Sequence, residues 1–116
     1  MSMLDDDFKN LKRSAIVIKP RQPFIDWLLH HDPAMVITEE IQEASIYLLP
    51  DFETVQEIET WLKKNFGELF EEQLFQWYIE EMMWPPNRTY KMFGEWFEYS
   101  LHTMLFDTQK GFIEKI

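Results

Sequence analysis

The run Ser14-Ala15-Ile16-Val17-Ile18-Lys19, closed by Pro20, limits the possible folds of this chain more than any other segment. Its apolar residues are consecutive rather than alternating, and β-branched side chains favour a pleated backbone. The run therefore predicts a strand whose two faces are both largely covered. Ser45-Ile46-Tyr47-Leu48-Leu49, closed by Pro50, has the same form. A third strand is predicted over 99–106, where Tyr99, Leu101, Thr103 and Leu105 alternate with Ser100, His102, Met104 and Phe106.

Three such strands need a covering layer, and the intervening sequence supplies helical patterns. After Pro23, which a first helical turn tolerates, Phe24, Ile25, Trp27, Leu28 and Leu29 predict about two turns ending near Pro33. Thr38 predicts the cap of a short acidic helix through Glu39, Glu40, Ile41 and Glu43. Asp51 is placed to cap the next helix, on which Val55, Ile58, Trp61, Leu62 and Phe66 recur at spacings of three and four. Asn65 and Gly67 read as stop signals. The pattern restarts at Leu69, Phe70, Leu74, Trp77 and Tyr78 and runs to about Glu81, before Trp84-Pro85-Pro86-Asn87 breaks it. Thr89 predicts the cap of a last helix with Met92, Phe93, Trp96 and Phe97 on its inner face. The expectation is an α+β domain, a small three-stranded sheet covered by four or five helices in the order β-α-(α)-β-α-α-α-β. The two strand-Pro-helix units differ in their proline-to-tryptophan offsets, so they are not a repeat. Residues 14–107 form the predicted single globular domain, with 1–13 as a flexible or loosely docked arm and 108–116 as a C-terminal tail. Leu4, Phe8 and Leu11 fall at helical spacing within that arm.

Composition narrows the function classes. Twenty-one acidic residues against eleven basic ones give a formal charge of −10. Direct nucleic-acid binding, which needs clustered Lys and Arg, and attraction to anionic membranes are both disfavoured. No apolar run exceeds four residues, so no transmembrane helix is predicted. The absence of cysteine removes disulfides, thiolate metal sites and cysteine nucleophiles, and suits a reducing, cytoplasmic setting. Charge is also unevenly placed: residues 39–81 hold twelve acids with only Lys63 and Lys64, while the segments on either side are balanced.

Twelve of the nineteen aromatic residues lie between Trp61 and Tyr99. Most recur at helical core spacing, so they predict packing rather than a stacking platform for bases or sugars. Trp84, beside two prolines, is the ring singled out as a partner anchor. Arg88, one of three arginines, is expected to pair with a helix-end carboxylate. Glu71 and Glu72 read as exposed carboxylates. His30, His31 and Asp32 do not converge on one helix face and no His-Glu-x-x-His motif accompanies them, so no metal is expected. His102 reads as buried and hydrogen-bonded, and on an ideal strand it faces away from Asp107. The three glycines are too dispersed for a phosphate loop, and no cofactor is implied.

With these residues in view, the stretch 14–107 resembles a family of short, acidic, uncharacterised bacterial proteins. The resemblance is carried by Ile18-Lys19-Pro20-Arg21-Gln22-Pro23-Phe24-Ile25-Asp26-Trp27, Ile46-Tyr47-Leu48-Leu49-Pro50, Glu68-Leu69-Phe70-Glu71-Glu72, Trp84-Pro85-Pro86-Asn87-Arg88, Glu95-Trp96-Phe97 and His102-Thr103-Met104-Leu105-Phe106-Asp107. It implies a shared fold and carries over no activity or site. The functional expectation is a binding protein that presents the acidic helical surface of residues 39–81 to a basic protein partner. Two alternatives stand beside it: a small hydrolase or ligand-binding enzyme with a pocket near Arg88, His102 and Asp107, and a homodimer with a structural role.

Overall fold

The computed structural model describes residues 9–116. Strand β1 (Lys9–Asn10) is followed by β2 (Ser14–Pro20), α1 (Gln22–His31), β3 (Ser45–Leu49), α2 (Val55–Phe75), α3 (Tyr90–Trp96), β4 (Phe97–His102) and β5 (Phe106–Asp107). A single 3-10 turn, Glu81–Met83, lies between α2 and α3. Among the described residues the architecture is α+β, with three α-helices, a three-stranded sheet and a two-stranded sheet.

The apolar run at 14–18 becomes the central strand of the larger sheet, in the order β3-β2-β4, antiparallel throughout. Register pairs Ile16 with Tyr47 and Leu101, and Ile18 with Ser45 and Tyr99. These side chains share the inner face, over which the three helices pack. Ala15 and Val17 point outward, paired with Leu48 and His102 and with Ile46 and Ser100. Coverage is one-sided at the edge: Ile46 and Leu48 are exposed, whereas Leu49 is buried. The second run looks like the first in sequence but is an edge strand. Ser14, buried at the start of β2, is satisfied by its hydroxyl, which accepts from the Phe52 amide at 3.0 Å.

Phe24, Phe70, Phe93 and Phe97 are all fully buried, and the ring centroids of Phe97 lie 5.2–5.3 Å from those of the other three. Such tilted and edge-on pairs add to the burial of apolar area. One phenylalanine from each helix thus meets the start of β4, which fixes where all three helices sit.

Several local expectations change. The helix expected to stop at Asn65 or Gly67 runs unbroken through both, because the Asn65 amide donates to the Trp61 carbonyl at 2.8 Å and Leu69, Phe70 and Leu74 continue the buried stripe. It ends at Phe75, not Glu81, where the Leu74 carbonyl accepts from the amides of both Trp77 and Tyr78. Its cap is Thr54 rather than Asp51; the Thr54 hydroxyl accepts from the Glu57 amide at 3.2 Å. The acidic helix at 38–43 is only a pair of turns, because Ile41 is its sole buried residue and one turn does not repay helix nucleation. Among the described residues, helices therefore number three rather than four or five. The last strand breaks at His102 and resumes as β5, which pairs with β1. Leu11, in the expected arm, donates its amide to the Leu105 carbonyl beside that strand pair; Leu4 and Phe8, which share its helical spacing, lie outside the described residues. Pro23 in the first turn of α1 and Thr89 as the cap of α3 are as expected, the Thr89 hydroxyl accepting from Met92 at 3.1 Å.

Candidate functional site

The site is built on the last turns of α2. Glu68, Glu71, Glu72 and Phe75 recur at helical spacing on one exposed face. Opposite them stands Trp84, brought there by the segment after the 3-10 turn. The end of that turn is tied down by two donors at one carbonyl: the Trp27 indole and the His31 ring both hydrogen-bond the Met83 carbonyl at 2.9 Å. The Trp84 indole in turn donates to the Tyr78 carbonyl at 2.8 Å. Trp84 is thus half-buried and fixed, not the projecting ring that its proline-rich setting suggested. Glu68, Glu71, Glu72, Phe75 and Trp84 line an open cleft of about 260 Å³.

Asn87, with φ of 55°, turns the chain in a conformation that asparagine tolerates, and Arg88 follows it. The Arg88 guanidinium donates to the Pro85 carbonyl and forms an ion pair with Glu71, both at 2.9 Å. It also lies 5.7 Å from the Trp84 ring and 6.0 Å from the Phe70 ring. The expected pairing of Arg88 with a helix carboxylate is realised here, with the guanidinium also near two aromatic rings.

The electrostatics of this helix end are unfavourable without a cation. Glu72 lies in the last turn, where the helix dipole is negative, and no basic residue occupies that turn. Glu68 adds like-charge neighbours at three and four residues, each costing about 0.2–0.5 kcal/mol. Arg88 relieves one of the three carboxylates.

A second cleft, of about 390 Å³, lies across the helix and is lined by residues that include Glu40, Glu43, Gln73, Gln76 and Trp77. Gln76, which lines this second cleft, donates its side-chain amide to Glu72 of the first at 3.2 Å. Gln73 occupies a core-facing position between Phe70 and Leu74 and is buried; its amide nitrogen donates to the Tyr47 hydroxyl at 2.7 Å. Burial pushes the Tyr47 phenol above its ordinary range against that hydrogen bond, and the Glu72 charge adds to the rise. Spacing pointed to Leu69, Phe70 and Leu74 but passed over Gln73. The available signal was a polar residue on the buried stripe.

Of the twelve aromatics between Trp61 and Tyr99, ten are buried or packed against the core. The two that are not, Phe75 and Trp77, each line one of these clefts.

The remaining sequence candidates lie elsewhere. His102 is on the outer face of β4, exposed rather than buried, and its Nε2 shares a hydrogen bond with the Ser100 hydroxyl at 2.8 Å. Its alternating position on the strand sends it away from the core. Asp107, in β5 opposite Lys9, accepts from the Gln109 amide at 2.9 Å. The contacts of Arg88 are instead with α2 and the 84–85 segment, so Arg88, His102 and Asp107 are not brought together. His31 is engaged with Met83 and Asp32 accepts from the Ala34 amide, so the His-His-Asp run is divided among separate contacts. Among the described residues no helix is long and apolar enough to cross a membrane. No family model, curated protein or solved structure matches this chain.

Proposed function

We propose that the protein is a binding module that presents its acidic segment, residues 39–81, to a basic protein partner, with the cleft of Glu68, Glu72, Phe75 and Trp84 as the contact centre. The observation that carries this reading is that the two aromatics of the Trp61–Tyr99 stretch left out of the core, Phe75 and Trp77, line clefts rimmed by carboxylates. Exposed rings beside uncompensated carboxylates suit the stem and head of an arginine or lysine side chain. Arg88, held by Glu71 against Trp84, is an internal example of that recognition. Twelve acids against two lysines in the segment would also steer a cationic partner to this side of the molecule.

An arginine-rich peptide titrated into the protein at low and at raised salt tests the reading. Affinity is expected to fall as salt rises, and the Glu68→Gln/Glu72→Gln variant is expected to bind about tenfold more weakly, equivalent to about 1.4 kcal/mol. Glu39→Gln, an equally acidic position outside the cleft, is expected to change affinity far less. Salt-indifferent binding, or equal losses from the Glu39 and Glu68/Glu72 variants, overturns it.

A further inference from the structure

We infer that the second cleft, between the loop at 40–45 and the final turns of α2, is a binding site for a guanidinium or alkylammonium group. Its volume of about 390 Å³ suits a single side chain or small molecule. The site is more than a group of acids, because its lining includes the side chain of a buried glutamine. Gln73 is only 3% exposed, its nitrogen is engaged by the Tyr47 hydroxyl, and among the described residues no donor reaches its Oε1. A buried carbonyl without a donor is a costly arrangement that an incoming N–H relieves. Glu40 and Glu43 stand exposed at the rim with no cationic partner among the described residues, and Trp77 presents a partly exposed ring.

The chemistry of the occupant follows from these three features. It must donate hydrogen bonds to a carbonyl, carry positive charge toward two carboxylates, and lay a short apolar stem on an indole. A guanidinium or ammonium on an alkyl chain does all three. An anion would meet Glu40 and Glu43, and an apolar ligand would leave the Gln73 carbonyl unpaired. The inference rests on the preceding reading only for the source of the cation, a partner's side chain or a free small molecule.

The test follows the Trp77 indole and Gln73 side-chain amide signals of the full chain by NMR. The probes are N-acetyl-arginine amide, putrescine and, as a neutral control, N-acetyl-glutamine amide. Both cations are expected to shift these signals saturably, with the neutral amide about tenfold weaker or worse. Gln73→Leu keeps every charge and removes the buried amide, and is expected to weaken cation binding about tenfold or more. Should that variant fail to fold, Glu43→Lys, at an exposed position, places a competing ammonium at the rim and is expected to give a loss of the same size. Equal binding of the neutral amide, or undiminished cation binding by the folded Gln73→Leu or Glu43→Lys variant, overturns the inference. Because Gln73→Leu leaves Glu68 and Glu72 intact, salt-sensitive binding of the arginine-rich peptide is expected to persist in it, so the two readings fail separately. Peptide binding that shifts Trp77 assigns the cation to a partner; a shift with the free probes alone assigns it to a small molecule.

Discussion

The two halves of α2 follow opposite electrostatic rules. The first half begins at a hydrogen-bonded threonine cap, places Glu57 in the first turn where the dipole favours it, and sets Lys63 four residues after Glu59. The second half ends without a basic residue, crowds Glu68, Glu71 and Glu72 together and leaves Phe75 exposed. Both nevertheless bury the same kind of stripe, Ile58 and Leu62 in one, Leu69, Phe70 and Leu74 in the other. Packing is shared between the halves, whereas the carboxylate in an unfavourable last turn and the Glu71–Arg88 ion pair both belong to the second half.

The largest expected effects test whether packing is indeed shared. Leu62→Ala and Leu74→Ala, at fully buried positions in either half, are each expected to cost about 2–5 kcal/mol in a denaturant titration. A loss confined to Leu62→Ala would mean that the second half is not committed to the core. Alkaline unfolding gives a smaller and complementary comparison, because each half bears on one tyrosine. Burial raises the Tyr90 phenol well above its ordinary range, helped by the Tyr99 hydroxyl and the Glu59 charge, as burial and Glu72 raise Tyr47. The folded chain then holds these protons to higher pH than the unfolded chain. Stability is full below the ordinary phenol value of about 10 and falls as pH rises through and beyond it. Tyr90→Phe and Tyr47→Phe are each expected to flatten that decline in denaturation midpoints measured across the alkaline range. The smallest effects address charge directly. Glu57→Gln is expected to lower stability by about 0.3–1 kcal/mol and Glu72→Gln to raise it by a similar amount, read from thermal midpoints at low salt. The same sign for both would remove the contrast between the halves.

The sequence made some of this legible and concealed the rest for identifiable reasons. The β-branched run at 14–18 and its closing proline marked the central strand, since local preference and tertiary burial agree there. Thr89 announced α3 for the same reason. Asn65 and Gly67 misled because stop signals are local, whereas the helix continues through them on the burial of Leu69 and Phe70, contacts no local pattern contains. The strand at 45–49 resembled its neighbour because its outer side chains are as apolar as its inner ones; its edge position is a property of the sheet. Glu71, Arg88 and Trp84 were legible as chemistry, and the structure joins them. The second cleft was not, because Gln73, Trp77 and Glu43 converge only when the loop before β3 folds against the end of α2.

The unbroken passage of α2 through Gly67 has a geometric consequence. At about 1.5 Å of rise per residue, its 21 residues make one rod about 31 Å long. Two shorter helices joined at a glycine would have let their carboxylates drift apart under mutual repulsion. The rod instead holds Glu57, Glu68 and Glu72 at set intervals, like marks on a ruler. Under the proposed reading, the spacing that a cationic surface would have to match is a property of the whole helix, not of any single glutamate.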